Sequence, residues 1–282
     1  MSNYDLHLHT TASDGTDSPE NLLRKIRELG IRKFAVTDHD TIAGALKLRG
    51  VEGFVFGIEF SCLYTHNRIH VLGLGVDPDN ANFVEALRLG DELRHEKFVK
   101  RVKFLREKFG FDITDSDFEE LSNIPGVGKP HLANLLVRKN YASNRSEAMR
   151  KFIDKCHTRE YSLEAKFVIN AILKSGGIPV WAHPLGGEGE SESPREVFEA
   201  EFARMLSYGL RGLECYYSKY DFATCGELAK IARENNLLIS GGSDYHGTNK
   251  NIPIGRLNSD GVDVSENMLS VLEFLGEDKC QV

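Results

Sequence analysis

Nine residues of this sequence have the types and spacing to do chemistry: His7, His9, Asp14, His39, Glu59, His70, His183, Asp244 and His246. His7 and His9 stand at i and i+2 in YDLHLH, so on a strand both point to one face. Asp14 lies in the loop that follows. His39 comes after KFAVT, between Asp38 and Asp40. Glu59 follows Gly57-Ile58, and His183 follows IPVWA. Asp244 and His246 follow LLIS, in SGGSDYHG. His70 departs from the pattern, because it opens its stretch, IHVLGL, instead of closing it.

Imidazole and carboxylate are borderline-to-hard ligands suited to Zn, Mn or Fe(II). Clustered ions lower the pKa of bound water and neutralise phosphate oxygens, and a carboxylate such as Glu59 is suited to bridging two of them. Without cations, nine such groups gathered in one place would be a costly buried site. A single histidine at a strand end is ordinarily a core or surface residue. The set is not ordinary: seven of the ten histidines, these six and His131, fall at predicted strand ends or loop turns. Only His66, His95 and His157 look incidental.

The elements that must position these groups alternate. Strands are expected over Tyr4 to Leu8, Lys33 to Thr37, Gly53 to Ile58 and Ile69 to Leu74. Further strands are expected over Ile178 to Ala182, Gly212 to Tyr216 and Leu237 to Gly241. Ser18-Pro19-Glu20 starts a helix with an N-cap, a first-turn proline and an acid at the positive dipole end. Helices are also expected over Thr41 to Leu48, Lys166 to Ser175, Pro194 to Tyr208 and Tyr220 to Asn235. Repeated strand–helix units favour a parallel α/β barrel with its chemistry at the C-terminal strand ends. The middle reads differently: Asn82 to Phe109, Pro130 to Lys139 and Ser146 to Cys156 are helical, with a Gly/Pro loop over Asn123 to Lys129. This divides the chain into a barrel, residues 1–77 and 162–282, and a helical insertion, residues 78–161.

Composition excludes several classes. Of the 282 residues, 41% are apolar and 27% charged, as in ordinary folded proteins. No stretch approaches the roughly 18 apolar residues of a spanning helix. MSNYDLHLHTTASDG lacks the basic and apolar regions of a secretory signal, which points to the cytoplasm. Five cysteines, an odd count with no CxxC pair, argue against a disulfide framework or a thiolate metal site. A net charge of -7 disfavours duplex DNA as a partner. From Arg88 to Glu160, however, 16 Lys/Arg stand against 12 Asp/Glu, so the insertion is basic and the rest strongly acidic.

The segments DLHLHTTASDG, AVTDHDT, GIEFS, HVLGLGV, AHP and SGGSDYHG together resemble the ordered motifs of the PHP (polymerase and histidinol phosphatase) family. The match covers nearly the whole chain apart from the insertion. The insertion and the GKPHLA segment resemble the stand-alone nucleotide phosphoesterases of that family. The resemblance implies an α/β fold, a distorted seven-stranded (β/α) barrel, with two or three divalent ions (Mn, Fe or Zn). It implies that His7, His9, Glu59 and Asp244 hold one ion. Asp14, His39 and His246 would hold a second, and Glu59, His70 and His183 a third. The implied substrate is a small phosphorylated molecule, a nucleoside 3′,5′-bisphosphate or a short 5′-phosphorylated oligoribonucleotide, hydrolysed by metal-activated hydroxide. Histidinol phosphate, or a non-catalytic metal-binding role, are the alternatives.

Gly126-Val127-Gly128-Lys129-Pro130-His131 opens a predicted helix, where free N–H groups favour an anion. Relatives usually have Arg where Lys129 stands. Lys129, His131 and Arg159 are the expected substrate-binding residues, and His131, Glu59 and Asp14 the expected catalytic ones. His131 or a water would protonate the leaving oxygen. The basic face Arg94, Lys97, Lys100, Arg101, Lys103 and Arg106 is expected to be solvated. Tyr216, Tyr217 and Tyr220 either pack at a strand end or stack a base. Leu185 to Ser193 is expected to be a solvated acidic loop.

Overall fold

The computed structural model describes residues 1–64, 67–124, 126–158, 160–187 and 194–275. Eight strands form one sheet: β1 Tyr4–Leu8, β2 Lys33–Val36, β3 Phe54–Tyr64, β4 Asn67–Leu74, β5 Leu163–Glu164, β6 Ile178–Trp181, β7 Gly212–Tyr217 and β8 Leu238–Gly242. Seven follow the order β1-β2-β3-β4-β6-β7-β8, and β5 pairs with β3 off that path. The helices are α1 Pro19–Glu28, α2 Ala43–Leu46, α3 Ala81–Phe109, α4 Asp115–Ser122, α5 Lys129–Arg138, α6 Arg145–Lys151, α7 Ala165–Lys174, α8 Arg195–Tyr208 and α9 Phe222–Glu234.

The sheet curls until its ends nearly meet. Asp244 N donates to His7 O and His9 N to Tyr245 O, both at 2.9 Å. The approach is so close that a Cβ on Gly242 would lie 2.2 Å from that of His7, which only glycine avoids. The short strands β1, β6 and β7 are buried along their whole length, as strands covered on both faces must be.

One strand runs against the expected parallel pattern. β4 is antiparallel to both β3 and β6, while the other pairings are parallel. β4 comes next after β3 in the chain with no helix between them, as an antiparallel pair permits. β3 is also longer than expected: it continues to Tyr64 to pair with β4, which leaves Glu59 inside the strand. Helix α2 is shorter than the predicted Thr41 to Leu48. Helix α4 was not anticipated, although Thr114 and Asp117 form a capping box at its start.

Two hydrophobic clusters organise the interior. The barrel cluster includes Leu6, Leu8, Phe34, Ile58, Phe60 and Trp181. The second joins Phe98, Val102 and Leu105 of α3 to Leu132, Leu135 and Leu136 of α5, with Ala148 and Ile153. Helix α3 serves both. Its first turns place Phe83 and Ala86 in the barrel cluster, and its later turns build the helical one. The 29-residue helix is capped by Asn80 and ends at Gly110 in the left-handed region.

Asp5 ties the barrel seam together. Its Oδ1 accepts from Ser243 N at 2.9 Å and His7 N at 3.4 Å, and its Oδ2 from Gly255 N at 2.7 Å. An asparagine amide would set a donor against one of these buried N–H groups. Asp5→Asn should therefore lose about 1–3 kcal/mol of stability in denaturant unfolding; an unchanged midpoint would show that the seam does not depend on this carboxylate.

Candidate active site

Glu59 stands at the centre of the mouth, fully buried. Its Oε2 lies 3.2 Å from His7 Nε2, 3.1 Å from His9 Nε2 and 3.1 Å from His39 Nδ1. Its Oε1 lies 2.9 Å from His70 Nδ1 and 3.1 Å from His183 Nε2. Five histidines thus share one carboxylate, three on one oxygen and two on the other. His70 reaches the mouth because β4 is inverted: the start of an antiparallel strand lies beside the ends of its parallel neighbours. What looked like a misplaced histidine in the sequence is in register in the fold.

The remaining acids complete the ring. Asp244 Oδ1 is 3.5 Å from His7 Nε2 and 3.4 Å from His9 Nε2. Asp14 Oδ1 is 3.2 Å from His246 Nε2, and its Oδ2 is 3.9 Å from His39 Nε2. All nine residues singled out in the sequence come together.

The donor set suits cations. Among the described residues, His7 Nε2, His9 Nε2, His39 Nδ1 and Glu59 Oε2 are buried without a hydrogen-bond partner, and the three nitrogens converge on the Glu59 oxygen. Such atoms are costly unless something unites them. Ligands held about 2.1 Å from one ion stand roughly 3.4 Å apart in a tetrahedral shell, close to the separations found here. Among the described residues, three combinations bring ligand atoms within 4.8 Å of one another: His7, His9, Glu59 and Asp244; His9, Asp14, His39 and His246; and His39, Glu59 and His70. Burial pushes the Glu59 carboxyl up, but His39, His70 and His7 outweigh it and hold it well below the usual carboxylate range. Burial disfavours a charged His9, yet Asp244 and Glu59 carry it up to about 9. Burial dominates at His39, against Glu59 and Asp14, and takes it down to about 3.

A second ring holds the first. His7 Nδ1 lies 2.8 Å from Glu214 Oε1, and Glu214 Oε2 accepts from His183 N at 2.7 Å. That contact leaves His7 Nε2 unprotonated toward Glu59 when the ring is neutral. Asp38 accepts from Thr10 N at 2.7 Å, Thr10 Oγ1 at 2.7 Å and Ser13 Oγ at 2.6 Å, fixing the loop that carries Asp14. Tyr217 Oη donates to Asp244 Oδ2 at 2.9 Å, and Lys250 Nζ to the same oxygen at 2.5 Å. Asp40, His183 and Asp244 all adopt positive φ, a strained state that clusters here at the strand ends. Sequence reasoning missed Glu214, although an acid inside the wholly apolar-and-aromatic run of β7 was a usable signal. Lys250 gave none.

The helical segment departs from expectation in several places. Lys129 and His131 lie in the first turn of α5, as expected, but Lys129 Nζ pairs with Asp154. Gly128 N donates to His131 Nδ1 at 3.1 Å, which leaves the ring proton on Nε2. Burial lowers His131 below its ordinary value, opposed by Asp14 and reinforced by Arg94 and Arg145, so the ring is a neutral donor near pH 7. Arg159 falls outside the described residues, as do residues 188–193 of the acidic loop. The basic face of α3 is not uniformly solvated. Lys97 and Arg101 are buried, and Arg94 contacts Asp40 Oδ2 while Nη1 donates to Gly126 O at 2.8 Å. Tyr216, Tyr217 and Tyr220 are buried in the barrel cluster, so they pack and offer no open face to a base.

A barrel with clustered His, Asp and Glu at its mouth defines a metal-dependent hydrolase. The sequence profile of the PHP domain matches residues 5–166, more than half of the chain, and the chain belongs to that family. It is 29% identical over 263 residues to the 5'-3' exoribonuclease Rnm of Escherichia coli (strain K12), covering 90% of this chain and 88% of that one. It is 29% identical over 263 residues to the phosphoribosyl 1,2-cyclic phosphate 1,2-diphosphodiesterase of Eggerthella lenta, covering 88% and 96%. To the 3',5'-nucleoside bisphosphate phosphatase of Chromobacterium violaceum it is 26% identical, covering 87% and 88%. A Bifidobacterium adolescentis structure assigned as a metal-dependent phosphoesterase superposes with a TM-score of 0.79 at 27% identity, covering 98% of this chain and 96% of that one. The chain is a metal-dependent phosphoric ester hydrolase that uses divalent cations. Among the described residues, no helix is long and apolar enough to cross a membrane.

Glu214→Gln keeps the shape of the second ring and removes its charge. Metal titration should show affinity lowered about 10- to 100-fold in a protein that still folds; wild-type affinity would remove Glu214 from the metal centre.

Proposed function

We propose that this protein hydrolyses a phosphate ester of a nucleotide, with a nucleoside 3′,5′-bisphosphate or a short 5′-phosphorylated oligoribonucleotide as substrate. The observation that carries the reading is Glu59, whose two oxygens face two separate sets of histidines as a bridging ligand must. Two of the relatives described above are named for RNA and for a nucleoside bisphosphate, which favours a nucleotide over histidinol phosphate.

We assign His7, His9, Glu59 and Asp244 to one ion, Asp14, His39 and His246 to a second, and Glu59, His70 and His183 to a third. The centre would take two or three ions drawn from Mn, Fe and Zn. When bound, such ions activate water and neutralise the non-bridging phosphate oxygens. Glu59 keeps the sites at fixed separation, and Asp14 holds the side nearest the helical segment. His131, neutral with its proton on Nε2, donates to the leaving oxygen. Lys129 must leave Asp154 to reach a phosphate, and Arg159 keeps its place as a candidate from sequence alone.

Residues 78–161 act as a lid over the barrel of residues 1–77 and 162–282; the separate hydrophobic cluster and the electrostatic reach of His131 to Asp14 support this division. We place the reaction in the cytoplasm, where the buried free thiols Cys62, Cys156, Cys215 and Cys225 stay reduced. Duplex DNA and membranes are not expected partners of a chain with net charge -7.

Mn-reconstituted protein should release 3′-phosphate from adenosine 3′,5′-bisphosphate, or single nucleotides from 5′-phosphorylated RNA. His9→Ala and Glu59→Ala should each lower turnover about a hundredfold or more and reduce metal content. Turnover of neither substrate, with cleavage of phosphoribosyl 1,2-cyclic phosphate instead, would move the enzyme to a cyclic phosphodiesterase. A folded, metal-replete mutant with an unchanged rate would remove that residue from the reaction.

A further inference from the structure

The cations of the helical segment are unequally committed. Arg94 is paired with Asp40 and Gly126 O, and Lys129 with Asp154. Arg145, the first residue of α6, forms no ion pair among the described residues. Its Nη1 donates to Asn249 Oδ1, a neutral amide on the loop just after His246. Asn249 Nδ2 in turn donates to the backbone oxygen of Asp14 at 2.6 Å. The guanidinium Nε is buried and has no acceptor among the described residues.

This is an unusual state for arginine. Its planar fork presents five donors and normally engages a carboxylate or phosphate through two of them. Here one arm rests on an amide and the inner nitrogen is desolvated with nothing to bond. Burial works against the charge, and Asp14 opposes that effect. His131 feels both Asp14 and Arg145, so the three groups share one region. A phosphate beside Asp14 would give Nε its acceptor and add an ion pair to the contact that Nη1 makes with the neutral Asn249 amide.

We propose that Arg145 is the lid residue that grips the substrate phosphate beside Asp14, the role that sequence reading gave to Lys129. The assignment deepens the phosphoesterase reading and rests on it. It also explains the link through Asn249: one side chain senses the phosphate and ties lid to barrel, so binding the anion fixes the helical segment over the mouth. Lysine would serve poorly, because a point charge lacks the fork that holds two oxygens in a plane.

The test uses the full Mn-loaded chain with inorganic phosphate as the probe, followed by calorimetry. Arg145→Ala should weaken phosphate binding about 10- to 100-fold with Mn content and melting temperature unchanged. Arg145→Lys should recover only part of it. The KM for adenosine 3′,5′-bisphosphate should rise by a similar factor, more than kcat falls. A wild type that cleaves esters alongside an Arg145→Ala variant with the same phosphate affinity and KM would overturn this assignment alone. A wild type that neither binds phosphate nor cleaves any ester would overturn both readings.

Discussion

Burying Glu59 among five histidines is the constraint on which the rest of the structure depends. A fully buried carboxylate is tolerable only if opposite charge surrounds it, and neutral imidazoles supply that charge only by taking up protons or binding cations. The opposite directions in which His9 and His39 are displaced show the tension: one is drawn toward the charged form by Asp244 and Glu59, while burial drives the other neutral. Divalent ions relieve both demands at once. They neutralise the acids without requiring any ring to be protonated, and they unite the four orphaned atoms around Glu59.

The barrel is shaped to deliver these groups. β1 and the residues just after it supply His7 and His9, and the close contact of β1 with β8 brings Asp244 and His246 alongside. The inverted β4 turns His70 inward from the opposite chain direction. Positive φ at His183 and Asp244 marks the strand ends that carry two of the ligands. Glu214, Asp38, Tyr217 and Lys250 then fix orientations through hydrogen bonds that make no direct use of substrate. The precision of the centre therefore resides as much in the second ring as in the ligands.

The helical segment answers the electrostatics of the mouth from outside. It is the basic part of an acidic chain, and α3 joins it to the barrel through one continuous rod. Its cations are sorted by partner. Arg94 anchors α3 to the loop after β2, Lys97 and Arg101 are buried with contacts to Ser162 and Thr158, and Arg145 reaches Asn249 on the loop after His246. A row of like charges on one helix thus divides into structural and exposed members once its neighbours are known.

The sequence by itself determined the ligand types, their places at strand ends and the pairing of His7 with His9 on one face. These follow from a local two-residue period and from the chemistry of single side chains. It also carried the strand–helix alternation and the helical middle, along with the capping signal at Ser18. Only the tertiary structure decided that β4 runs backward, because strand direction depends on which neighbours pair and not on any local pattern. The same holds for the convergence of five histidines on Glu59, for Glu214 behind His7, and for Lys129 paired with Asp154 while Arg145 reaches Asn249. A charged side chain's role is set by the charges that folding brings near it, and those lie up to hundreds of residues away along the chain.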